Sequence, residues 1–200
     1  MRIVRYFSLT VLAICLLCVA LPGQDLVVWR SGDQIRVAAP RLHVLTGKPL
    51  DRLKNGNQVA FDFHLSVLGE GRTTVLRRAF ERFAISYDLW EEKFSVAGVR
   101  TSKADASRLT AAAAEAWCLD NVGVPLAGLP GDKPVHVELD IRAQDSKDEP
   151  PLIGDTGVSL SSLIEIFSRG GKTQQPAQWR LIAGPVRLAD LDAQPRRGAN

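Results

Sequence analysis

Residues 58–96 read QVAFDFHLSVLGEGRTTVLRRAFERFAISYDLWEEKFSV, and the reading of this stretch decides the fold. Val59, Phe61, Phe63, Leu65 and Val67 take every second position, with Asp62, His64 and Ser66 between them. That period belongs to a strand with one face toward a core and the other toward water. Gly69 and Gly71 then punctuate the chain as a hairpin connection does. The second half, Leu76–Trp90, fits two periods. As a strand, Phe83, Ile85, Tyr87 and Leu89 share one face, with Arg82, Ala84, Ser86 and Asp88 opposite. As a helix, Leu76, Phe80, Phe83, Tyr87, Trp90 and Phe94 line up at three- and four-residue steps. The aromatic and β-branched content, and the alternating partner just before it, favour the strand. Glu91–Lys93 then form the turn into Phe94–Val96. If the polar face is wet, substitutions there, at Asp62 and Ser86 alike, are expected to be mild.

Outward from this centre, Leu26–Trp29 and Ile35–Ala38 flank Ser31-Gly32-Asp33 as a hairpin. Leu42–Leu45 reads as a short strand that Thr46–Pro49 breaks, and Leu53–Asn57 as a turn. Alanines crowd Ala104–Ala116, the best helix-forming composition, with Ser102 and Asp105 placed as a capping pair. The predicted apolar stripe is Leu109, Ala112, Ala113, Ala116 and Trp117, and Asn121 and Gly123 supply the stop. Val135, Val137, Leu139 and Ile141 alternate with His136, Glu138, Asp140 and Arg142 in the cleanest strand of the chain. Asp145–Pro151 reads as a loop, a short helix begins near Gly157–Ser159, and Gln178–Ala183 and Val186–Leu191 read as closing strands around Gly184-Pro185. The fold class expected is mostly β: an antiparallel β-sandwich or partly closed barrel with one alanine-rich helix and a second short one.

The N-terminus carries Arg2 and Arg5, then an almost wholly apolar run from Phe7 to Leu21, then Pro22-Gly23-Gln24. This is the layout of a secretory signal peptide over residues 1–23, cleaved after Ala20 or near Gly23, with an uncleaved membrane anchor as the alternative. Ile14 and Leu17 precede Cys15 and Cys18, where a lipoprotein site needs a small residue. Residues 24–194 then form one β-rich domain and 195–200 a polar tail. Export leaves Cys118 as the sole cysteine, without an internal disulfide partner, and its sequence context is that of a buried small hydrophobe. Loss of Arg2 and Arg5 from the 25 basic residues leaves 23 against 22 acids, a balance unlike that of a nucleic-acid binder.

Chemistry-bearing patterns are sparse. His43, His64 and His136 form no HxxxH or HExxH spacing. His64 shares its strand face with Asp62, and His136 shares its own with Glu138 and Asp140. If those strands are neighbours, the four candidates Asp62, His64, His136 and Glu138 make a His/carboxylate cluster suited to metal binding or to acid–base work. A solvated sheet face accounts for the same residues, and no metal or cofactor is expected. Asp155-Thr156-Gly157 carries the aspartic-protease triplet once, after a loop and before a helix, where a helix-entry turn explains it. Trp29, Trp90, Trp117 and Trp179 are scattered as core residues are.

The run Arg82-Phe83-Ala84-Ile85-Ser86-Tyr87-Asp88-Leu89, followed by Lys93-Phe94-Ser95-Val96, resembles the Tyr-x-Leu-x-Tyr-x-x-Leu … Tyr-x-Val pattern of the bacterial family called domain of unknown function 4390. Phe83 and Phe94 stand where that family often has tyrosine. The resemblance spans most of the mature chain and implies an exported, mostly β bacterial protein of about this length. It implies no reaction and no site residues. The functional expectation is a non-catalytic envelope module that binds another envelope component, either a protein or a ligand. The alternatives are an exported hydrolase built on the His64/His136 faces, and a carrier with an apolar cavity between its sheets. N-terminal sequencing of protein recovered from its host is expected to begin between Leu21 and Asp25; recovery of Met1 from a membrane fraction would mark an uncleaved anchor instead.

Overall fold

Two-residue alternation governs most of the chain, and the structure, a computed structural model describing residues 26–99, 105–144 and 177–191, follows it strand by strand. In chain order the elements are β1 (Val27–Ser31), β2 (Gln34–Ala38), α1 (Gly47–Lys54), β3 (Val59–Leu68), β4 (Val75–Asp88), β5 (Lys93–Gly98), β6 (Ala106–Leu109), α2 (Ala111–Asp120), β7 (Val124–Pro125), β8 (Pro134–Ala143) and β9 (Gln178–Arg187), with a 3-10 turn at Leu188–Asp190. They make two antiparallel sheets, a small one ordered β1-β2-β7 and a large one ordered β6-β5-β4-β3-β8-β9. The sandwich-like, mostly β architecture is the one expected; the large sheet does not close into a barrel.

β3 lies between β4 and β8, with Phe63 opposite both Glu81 and Ile141. Its inward residues Val59, Phe61, Phe63, Leu65 and Val67 are fully buried. The Phe63 and Phe83 rings meet edge to face at 5.3 Å, and Phe83 meets Trp117 of α2 at 5.7 Å. β4 is strand throughout, because its length pairs with β3 and its end, Phe83–Asp88, pairs with β5. The turn beyond it is set by the Asp88 carboxylate, which accepts from the backbone N–H of Trp90 (2.8 Å) and Glu91 (3.0 Å). Those bonds hold the Asp88 pKa below the usual carboxylate range. Trp90 at the tip is 97% exposed, so it is not the core residue expected of a scattered tryptophan.

Several segments differ from expectation. Leu42–Leu45 is not a strand, and Thr46–Pro49 opens α1 rather than breaking a strand. Thr46 sits at the N-cap in extended conformation, and Pro49 lies in the first turn, where its missing N–H costs nothing. Buried Pro49 and Leu53 anchor the helix, and Gly56 takes the left-handed conformation (φ 80°) just past its end. The alanine-rich helix starts later than predicted. Ala106–Leu109 pairs with β5 as β6, and the Thr110 hydroxyl accepts from the Ala113 N–H (3.2 Å) to cap α2. Ser102, the expected cap, lies outside the described residues. The buried face of α2 is Ala114, Glu115, Cys118 and Leu119, while Ala112, Ala113 and Ala116 are exposed. Alanine carries too little apolar area to choose a face, so Cys118 and Leu119 choose it. The two closing strands are one, β9, which runs through a cis Gly184–Pro185 bond where the β8 register shifts. A Cβ on Gly184 would stand 2.8 Å from the Val135 carbonyl oxygen. The signal segment, Asp145–Pro151, the Asp155-Thr156-Gly157 triplet, the helix near Gly157–Ser159 and the tail all lie outside the described residues.

The polar face of β3 is not wet as expected. Asp62, at 5% exposure, and Ser66 are both buried. Arginine stems from the neighbouring strand β4 lie over them: Arg82 grips Asp62 and Arg78 bonds the Ser66 hydroxyl. Unfolding measurements are therefore expected to separate three classes. Phe63→Ala and Ile85→Ala should each cost about 2–5 kcal/mol. Asp62→Ala should cost about 1–3 kcal/mol, as a buried hydrogen-bond acceptor is lost. Half-buried Ser86→Ala should stay within roughly 0.5 kcal/mol. An Asp62→Ala as mild as Ser86→Ala would mean that this face is solvated.

Candidate functional site

The sequence candidates lie where β3 and β8 meet. The strands are neighbours, and in register Asp62 faces Arg142, His64 faces Asp140, Ser66 faces Glu138 and Leu68 faces His136. His64 and His136 are thus four positions apart along the ladder, about 13 Å at strand rise. They share no point at which a substrate atom could sit. Asp62 accepts from Arg82 Nε (2.6 Å) and Nη2 (2.9 Å) and from Gln144 Nε2 (2.6 Å). Asp140 accepts from Arg142 Nε (3.0 Å), Gln178 Nε2 (2.7 Å) and Arg180 Nη2 (3.1 Å), and Glu138 lies 3.5 Å from Arg180 Nε. His64 packs on Phe80 with ring centroids 4.7 Å apart. His136 is buried, and its Nδ1 has no hydrogen-bond partner. Carboxylates held by guanidinium and amide donors clamp β4, β3, β8 and β9 together. Among the described residues, no group of three or more His, Cys, Asp or Glu side chains converges as metal ligands do.

A concave site lies elsewhere, on the small-sheet side of α2. Trp29 of β1, Val37 and Ala38 of β2, the Ala39–His43 connection and α2 enclose a cleft of about 330 Å³. Its walls are mainly apolar: Trp29, Val37, Leu42, Ala112, Ala116 and Leu119. Glu115, His43 and Asp120 are the polar side chains in it. Glu115 is only 7% exposed; its Oε1 accepts from the Leu45 N–H (2.9 Å), and its Oε2 stands 3.6 Å from His43 Nδ1. The Leu45 bond places the carboxylate at the point where the Ala39–His43 connection passes over α2. A second, more open cleft of about 380 Å³ lies across Leu42 and His43, between Arg41, Trp179, Arg180 and Leu181.

The first cleft is not between the sheets, where the carrier alternative would require its apolar cavity. That space is filled by Phe61, Phe63, Leu65, Phe83 and Ile85, all essentially inaccessible. Sequence reasoning missed Glu115. Its signal was a single charge inside Ala111–Leu119, an otherwise apolar run, which implies either an exposed face or a partnered buried carboxylate. Cys118 behaves as expected: burial, helped by the charge of Glu115, raises its thiol pKa far above the ordinary value and keeps it inert.

No family model, no curated protein and no solved structure matches this chain.

Two ionisable groups of the clamp give stability a pH dependence. Burial lowers the His64 pKa from its ordinary 6.5, against the opposing pull of Asp62 and Asp140. Its neutral form suits the fold, so this contribution is complete above about pH 6.5 and is lost as pH falls through the lower folded value. Burial raises the Asp140 pKa, but hydrogen bonds from Arg142, Gln178 and Arg180 outweigh it and leave the net value below 3.8. That contribution is held above about pH 4 and lost only in stronger acid. Melting curves are therefore expected to fall in two stages on acidification, and His64→Gln should shrink the upper stage while leaving the lower one. An unaltered upper stage in that variant would remove His64 as its source.

Proposed function

We propose that this chain is a non-catalytic, exported module of the bacterial envelope that binds another envelope component at the cleft beside α2. The N-terminal layout, a basic start followed by a short apolar run, supports the compartment. The cleft supports binding: it is concave and mostly apolar, it carries few polar groups, and its walls are rooted in the core through Val37 and Leu119. The observation that carries the reading is Glu115, a carboxylate held nearly out of water by one backbone donor inside that cleft. Such a group fixes the orientation of whatever enters. A volume near 330 Å³ is at the small end for ligand pockets and suits a small molecule or one end of a larger one. This keeps the carrier reading alive at a new place. The hydrolase reading loses its His64/His136 pair to their separation along the ladder. Among the described residues no helix is long and apolar enough to cross a membrane; membrane contact is assigned only to an uncleaved N-terminal segment.

Ala116→Trp tests the reading, since Ala116 is exposed, lines the cleft and takes no part in the core. Immobilised wild-type protein is expected to retain an envelope component that the variant, with an unchanged melting curve, does not. Equal retention by both would move binding away from the cleft.

A further inference from the structure

A carboxylate with 7% exposure needs compensation for the water it has lost. An ionised carboxylate has roughly four acceptor positions. Glu115 fills one with the Leu45 N–H, and its other oxygen has the His43 imidazole 3.6 Å away, beyond hydrogen-bond reach. His43 is itself 65% exposed at the mouth, so it can give way. Asp120 adds a second carboxylate to the lining, and His43 is the one lining side chain that can carry positive charge. An anionic ligand would meet two acids here, and a neutral apolar one would leave Glu115 no better satisfied. Trp29 supplies an aromatic wall of the kind that attracts organic cations.

We propose that the cleft selects an organic cation: an ammonium group donated to Glu115 Oε2 in place of His43, with an apolar body against Trp29, Val37, Leu42 and Leu119. This deepens the binding reading and rests on it. The ligand class is a small amine, or the amino end of a larger envelope molecule. Selectivity comes from the carboxylate and capacity from the apolar walls, so the two can be removed separately.

Three probes share one body and differ in the head: phenethylammonium, 2-phenylethanol and 3-phenylpropanoate. Calorimetric titration is expected to show the ammonium binding about tenfold or more tightly than the alcohol, with no detectable binding of the carboxylate. Glu115→Gln keeps an oxygen for the Leu45 N–H, and should bring the ammonium down to the level of the alcohol. Ala116→Trp should abolish binding of both. Equal affinity for ammonium and alcohol in the wild type, or undiminished discrimination in Glu115→Gln, overturns the cation assignment. Binding without head-group preference that Ala116→Trp abolishes would sink the cation and leave the cleft. If none of the probes binds, or binding is indifferent to Ala116→Trp, both readings fail. Should Glu115→Gln not fold, the wild-type head-group comparison decides by itself.

Discussion

A strand with neighbours on both edges and cover on both faces leaves no backbone or side-chain group for water, and β3 is close to that condition. Its inner residues fill the space beneath the large sheet. Its outer residues cannot stay polar there without partners, so each acquires one. Asp62 takes Arg82 and Gln144, Ser66 takes Arg78, and His64 lies on Phe80. The arginines come from β4, and Asp140 gathers its own from β8 and β9. The sheet is thus held twice, by its ladder and by carboxylate–guanidinium pairs across it. A one-residue slip would put Asp62 into the core and Phe61 or Phe63 outside. The ionic layer therefore helps to fix register, a use for which buried charge is better suited than for raw stability.

The large sheet was legible because its signal is periodic and redundant. Val59–Val67 and Val135–Ile141 alternate over enough positions that no other structure accommodates them. The Leu76–Trp90 ambiguity resolved to strand through partners that a single segment does not announce. The errors fell where local signals were weak or doubled. Thr46–Pro49 carries breakers that also begin helices, since a first turn has no intrahelical acceptor for the N–H that Pro49 lacks. In Ala104–Ala116, propensity indicated helix, while pairing of Ala106 and Leu109 with β5 claimed its start for the sheet. Uniform alanine then hid which face is inward. The polar face of β3 was misread as wet because alternation reports only the difference between faces, and not whether the second is covered by arginine stems from elsewhere.

The site was less legible than the fold for a related reason. His64 and His136 attract notice by residue type, yet chemistry needs convergence, and a ladder keeps residues of equal parity at fixed intervals. The cleft is assembled from β1, β2, the Ala39–His43 connection and α2, whose lining residues are up to some ninety positions apart in sequence. No local motif spans that distance. Glu115 was visible as a lone charge among alanines, but its meaning depends on the Leu45 N–H, seventy residues before it.

The central place of β3 has a kinetic cost. Its β4 partner follows directly through the Gly69–Thr74 connection, so that hairpin can close early. Its other partner is β8, with Asp62 waiting for Arg142 eighty residues later. Closing so long a loop is slow, since its entropy must be surrendered before any contact rewards it. Until then a ten-residue strand carrying Phe61, Phe63 and Leu65 stands at an open edge, which is a template for another chain. The strand that secures the finished molecule is therefore its most hazardous part during folding, and crowding of refolding chains should convert yield into aggregates through that edge.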